Sequence, residues 1–285
     1  MAHITSLANR FELGVYRRSN AFQISARPWQ RTFIAISAML FSVSAAVTIA
    51  WCGSMSAMGG MPMPGGWTLS MEWMRMPGQT WAGAATSFLG MWVMMMAAMM
   101  LPSLAPMLWR YRQRLEKAPE TLRGRLTALV GLGYFFVWTL LGLAVFAVGV
   151  AVAAIEMGQP VLARAVPIAA GLVVLMAGAL QFSKWKAHHL ACCRESPRRD
   201  CVLPAHAGAA WRQGVHFGLH CSLSCANLTA ILLVIGVMDL GAMAAVTAAI
   251  TAERLAPAGD DLARATGFIV LAAGLILIAR AAGLQ

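Results

Sequence analysis

The chain has 285 residues, of which 59% are hydrophobic and 12% charged; soluble domains carry about a quarter charged residues, so this composition excludes an ordinary water-soluble domain. The net charge of +11 lies in short segments between long apolar runs, which excludes a basic nucleic-acid-binding face and reads instead as a topology signal. The six cysteines are too few and too unevenly placed for a disulfide scaffold in a chain this long.

Residues 1–31 form a basic segment, with Arg10, Arg17, Arg18, Arg27 and Arg31 against Glu12. The apolar run from Thr32 to Trp51 is longer than a signal-peptide core and reads as an uncleaved first helix. Further apolar stretches near 81–108, 127–153, 163–183, 211–238, 240–256 and 264–283 follow the first at 33–51. Residues 32–285 therefore read as one all-α domain, a polytopic transmembrane bundle of six to seven helices. The basic N-terminus and the basic loops 110–125 and 184–212 are expected to be cytoplasmic, and segment 52–80 outside. The stretch 240–256 is short and ends in Glu253 and Arg254. If it crosses, the C-terminus lies outside; if it only re-enters, the C-terminus lies inside.

Fourteen of the 20 methionines fall between Met55 and Met107, a concentration that generic packing does not require. Met55, Met58, Met61 and Met63 stand in "MSAMGGMPMPGG", where glycine and proline argue against a regular helix. Thioether sulfur is a soft neutral ligand suited to Cu(I), so this outer segment is a candidate capture site. The competing reading is an interfacial hairpin anchored by Trp67, Trp73 and Trp81. In "GMWVMMMAAMMLPSLAP", Met91, Met95 and Met99 follow at a spacing of four and share a helix face, with Met96 and Met100 in a row beside them. Either row serves metal contact or adaptable packing. Pro102 and Pro106 are expected to kink or break that helix and to favour a site or packing crossover near Ser103.

After the fourth stretch, "QFSKWKAHHLACCRESPRRDC" places His188, His189, Cys192, Cys193 and Cys201 close together. His188 to Cys192 and His189 to Cys193 are each four apart, so each pair shares a face if the helix continues. The alternative is interfacial histidines beside reduced thiols. In 211–238, Gln213, His216, His220, Ser224 and Asn227 are separated by three, four, four and three, one polar stripe along a helix, flanked by Cys221 and Cys225. Polar groups within a membrane face the bundle interior, a cavity or an ion, so the stripe is expected to point inward. Its nitrogen and sulfur ligands suit copper, with zinc as the alternative. Glu253 and Arg254 either pair with this stripe or snorkel as end charges.

These segments together resemble the DUF2182 family, bacterial proteins described as predicted metal-binding integral membrane proteins. The resemblance rests on "MWVMMMAAMMLPSLAPM", "QFSKWKAHHLACCRESP" and "HCSLSCANLTAILLVIGVMDLGAMAAVTAAITAERLAP", which together span most of residues 67–257. Lys186, Cys193 and Arg194 match the family pattern, as do Cys221 and Cys225. His189 stands where many relatives have a first cysteine, and Ser224 replaces a further cysteine. The resemblance implies a multi-pass protein of the bacterial inner membrane with a metal ion as partner, and attaches no reaction.

Three functions compete. The first is copper(I) binding, delivery or translocation through Met, His and Cys ligands. The second is a non-catalytic scaffold docking a partner membrane protein. The third is a redox protein, with His216 and His220 on haem or Cys221 and Cys225 as a dithiol. Enzymatic hydrolysis has no nucleophile and base to support it, and no P-loop is present for ATP-driven pumping.

Overall fold

A computed structural model describes residues 28–64, 66–75, 78–115, 118–194 and 206–283. Residues 1–27, most of the basic N-terminal segment, lie outside that range, as does Cys201. The chain divides into a unit at 1–39 and a unit at 40–285. The first holds the beginning of helix α1 (Pro28–Met58), with Ile34, Ile36 and Met39 exposed.

Among the described residues the second unit is helical apart from a hairpin of β1 (Met61–Met63) and β2 (Trp67–Leu69), paired antiparallel with Met61 opposite Leu69. The helices after the hairpin are α2 (Trp81–Arg114), α3 (Glu120–Gly158), α4 (Pro160–Leu180), α5 (Lys184–Arg194), α6 (Ala207–Ile235), α7 (Leu240–Leu255) and α8 (Gly259–Ala281). Each apolar stretch became a helix, and six helices, α7 and the short α5 excepted, are long and apolar enough to cross a membrane. Several extend past their apolar windows into charged flanks. Backbone hydrogen bonds continue a helix beyond the residues whose hydropathy marks it. Leu132, Phe136, Leu140 and Leu143 on α3, and Phe268, Ile269, Leu275 and Ile276 on α8, are exposed, as apolar residues facing lipid tails rather than water would be.

Pairwise packing sets the direction of the later helices. A Cβ on Gly214 of α6 would lie 2.2 Å from the Val130 carbonyl oxygen of α3, and one on Gly218 would meet the Tyr134 carbonyl. These helices therefore run parallel at backbone contact, an approach that small residues permit. Helices α4 and α8 run antiparallel: Gly171 faces Ile278, Gly178 faces Leu271 and Gly267 faces Gln181. The start of α8 thus lies at the same end as α5, opposite the end of α6. Helix α7 carries the chain between those ends; its 16 residues span about 24 Å. Gly236, at φ 132°, makes the turn into α7 with a backbone that other residues rarely adopt. Asp239 then caps α7, its carboxylate accepting from the Ala242 N–H at 2.8 Å. The stretch with two sequence readings therefore runs from one end of the bundle to the other, although it is shorter than the six helices above.

Two local expectations are corrected. Met55 and Met58 lie in α1, which continues to Met58 before Gly59 at φ 71° ends it; glycine and proline interrupt the segment only after that point. Pro102 and Pro106 do not break α2, which runs unbroken to Arg114. Neighbouring helices bury that stretch, where Ser103 and Leu104 are almost fully covered.

Candidate functional site

Helix α5 lies against α6 and brings the two His/Cys segments together. His189 Nδ1 is 3.1 Å from His220 Nδ1, and His220 Nε2 is 3.1 Å from His216 Nε2 one turn earlier. His188 Nε2 lies 3.8 Å from Cys192 Sγ on the same face of α5, as their spacing of four anticipated. Trp185 abuts the edge of the His189 ring, with centroids 4.8 Å apart. Burial, and then the neighbouring His188, lower the pKa of His189 below the ordinary histidine value, which favours the neutral imidazole that ligates metals.

The cysteines of α6 face the other way. Cys221 is fully buried, its Sγ 2.9 Å from the Tyr134 hydroxyl and 3.1 Å from Arg254 Nη1, which donates to it. Its thiol also reaches Met100 Sδ at 3.9 Å. Ser224 connects the thiols: its Oγ donates to the Cys221 carbonyl at 2.9 Å and stands 3.6 Å from Cys193 Sγ and 3.7 Å from Cys225 Sγ. Two thiols thus flank the serine, and the Cys221 thiol, one turn away, meets the Met100 thioether. Cys193, on α5, has its thiol pKa pushed up by burial and pulled partly back by Arg254. The close α3–α6 approach at Gly214 and Gly218 is what brings Tyr134 onto Cys221.

Beside the thiols is a buried charged network. Lys186 Nζ pairs with Glu253 Oε2 at 2.8 Å, both side chains 2% exposed. Lys186 also donates to the Ser224 carbonyl at 2.7 Å, and Gln181 Nε2 donates to Glu253 at 3.0 Å. Asn227 reaches across to the Ala177 carbonyl at 3.2 Å. Lys186 and Glu253 cancel in charge. Arg254, whose Nη1 also donates to Ser103 Oγ at 2.9 Å, remains as a cation against the thiols, with no carboxylate partner among the described residues. Glu253 and Arg254 are therefore interior groups, and Ser103 meets Arg254 although the prolines leave α2 unbroken.

The polar stripe of α6 does not all point inward: Ser224 and Asn227 are buried, His220 is half-buried and His216 is exposed. His and Cys ligands are accordingly split between two faces. Among the described residues, no three or more His, Cys, Asp or Glu side chains form a ready-made metal-holding group. Met91, Met95 and Met99 are buried in the core with Phe88 and Trp92; of the α2 methionines it is Met100, from the neighbouring row, that meets the Cys221 thiol, while Met238 meets the Cys52 thiol at 3.5 Å. Met63 is buried with Leu69, Ala153 and Ala163, Met55 is half-buried and Met61 exposed. Tyr134 and Lys186 were not singled out as site residues from sequence. Tyr134 sits in an apolar run with nothing to mark it, whereas Lys186 carried a signal as a match to the family pattern.

A protein-family model described as "PpoB2: Copper chaperone" matches residues 89–277. The match includes the histidines, all the thiols above, Lys186, Glu253 and Arg254, and leaves out the hairpin methionines. No curated protein and no solved structure matches the chain.

Proposed function

The chain belongs to the PpoB2 copper chaperone family, and on that premise we propose that it is a multi-pass membrane protein that holds Cu(I) at the buried sulfur cluster of α2, α5 and α6. The observation that carries this is Cys221, enclosed with Met100, Cys193 and Cys225 nearby and with Arg254 donating to its sulfur. Thiolate and thioether are the soft ligands that select Cu(I). Copper displaces the thiol protons on binding. A Cu(I) ion between two thiolates leaves one negative charge, which Arg254 offsets where water is excluded. The resemblance to the DUF2182 proteins points the same way.

The histidine face is the more accessible half of the pathway. His189 and Cys193 are one turn apart on α5, and His220 and Ser224 one turn apart on α6. The histidine rung and the thiol rung are therefore separated by about 5.4 Å along the helices, a single exchange step for an ion. His188 and Cys192 flank the first rung. By the charge pattern this end is cytoplasmic. Of the outer methionines, Met61 is exposed and so is placed to meet an ion from solvent at the opposite end.

The test is elemental analysis of detergent-purified protein loaded with Cu(I) under reducing conditions. Wild type is expected to retain copper, and Cys221→Ser/Cys225→Ser to lose it with folding intact. His216→Ala/His220→Ala is expected to slow loading while leaving the final content unchanged. Equal copper in wild type and the cysteine variant would refute the reading.

A further inference from the structure

A cleft of about 230 Å³ opens beside the sulfur cluster, walled by Ser103, Pro106, Met107 and Arg110 of α2, Cys193 of α5 and Arg254 of α7. Cys193 and Arg254 belong to both the cleft and the cluster, so the cleft is a way into it. Its charge is one-sided. Arg110 and Arg254 both line it, and among the described residues the lining includes no Asp or Glu. Arg110 is exposed and Arg254 is 8% exposed, so one guanidinium faces solvent at the mouth and the other is buried at the floor.

Two guanidiniums in a partly dry cleft repel a bare copper cation and concentrate anions. Cu(I) in a thiol-containing solution is carried between two thiolates, an anion that becomes more negative if the thiol also bears carboxylates. The volume is below that of a common drug-sized pocket, which suits one small thiol ligand inside the cleft. Pro106 and Met107 supply apolar and soft wall for such a ligand.

We infer that this cleft is an exchange port for Cu(I) carried by a small anionic thiol, with Arg110 steering the complex and Cys193 as the first ligand to take the metal. The inference rests on the copper reading above. In the exchange, a Cu–S bond to Cys193 forms as one Cu–S bond to the carrier breaks. The Cys193 proton leaves on the released thiol, and copper stays Cu(I), so charge and electrons balance without an oxidant. The remaining carrier thiolate is displaced in the same way when a second protein thiol takes the ion.

The experiment follows loading of the purified full chain by stopped-flow ultraviolet absorbance of the copper–thiolate bond. Cu(I) is presented in one arm as its glutathione complex, which is anionic, and in the other as its cysteamine complex, whose ammonium groups make it cationic. Wild type is expected to load faster from glutathione, with a rate that falls as salt is added. Arg110→Gln is expected to slow the glutathione arm about fivefold, to speed the cysteamine arm by relieving repulsion, and to keep the same final copper content. Arg110→Glu is expected to reverse the preference. Equal rates from both carriers, or an Arg110→Gln rate equal to wild type, would overturn the port while leaving the copper site standing. A wild type that takes no copper from either carrier would overturn the copper reading itself.

Discussion

Replacing Lys186 by methionine tests how the thiol cluster is held. Lys186 Nζ lies 2.8 Å from Glu253 and 2.7 Å from the Ser224 carbonyl, with 2% of the side chain exposed. Methionine keeps most of the volume and removes the cation beside a buried carboxylate, a change that costs about 3–5 kcal/mol. It also removes a donor to the carbonyl of Ser224, the residue between the Cys193 and Cys225 thiols. For a protein of this size that loss corresponds to a melting midpoint lower by on the order of 10 °C. The assay is thermal unfolding in one detergent for wild type, Lys186→Met, Glu253→Gln and the double variant. Each single variant is expected to be destabilised, and the double variant to recover most of the loss, because two buried charges replaced together leave no uncompensated ion. The double variant is still expected to load copper poorly, since Ser224 remains unanchored. A Lys186→Met protein as stable as wild type, or additive losses in the double variant, would refute the assignment of this pair as a coupled interior brace.

Three further outcomes follow from single contacts. Gly214→Ala places a methyl 2.2 Å from the Val130 carbonyl and is expected to lower stability by about 1–3 kcal/mol; Gly131→Ala, with nothing within 4 Å, leaves the melting point unchanged. Tyr134→Phe keeps the ring and deletes the 2.9 Å contact to Cys221, and is expected to cost about 1 kcal/mol and to weaken copper retention in a competition with a chelator. Glu72 is held above the ordinary carboxylate pKa by burial, against the Ser70 hydrogen bond, and its Oε2 has no hydrogen-bond partner among the described residues. A raised folded pKa means stability is highest below the unfolded value and is lost as pH rises through the folded one. Glu72→Gln is therefore expected to melt above wild type at neutral pH, with the difference vanishing in mild acid; a constant difference across pH would show that charge is not its cause.

The spacing arguments identified which residues share a face, and left open what each face meets. His216 and His220 were legible as neighbours, as were His188 and Cys192, because helical periodicity alone places them together. Their union with His189 was not, since it depends on α5 folding back along α6. The stripe was read as one inward face; the structure divides it, with His216 exposed and Ser224 buried. One helix stripe crosses from a surface to an interior wherever its neighbour covers only part of its length. Met100 was in the less favoured of two methionine rows, and only the position of α6 singles it out.

Hydropathy and composition alone establish an all-helical chain of long apolar segments, because backbone polar groups in an apolar medium must be satisfied within each segment. They also place soft ligands at recurring helical intervals. Which end of the bundle α7 leads to is decided by the antiparallel packing of α4 and α8 through facing small residues. The same packing brings Glu253 and Arg254 from the end of α7 to Lys186 and Cys221. Partner choice between distant helices depends on which backbones come close enough to touch, and no local period encodes that. A buried charge is tolerable only with its partner in place, so the residues that looked least at home in the sequence are those whose role the assembled helices define.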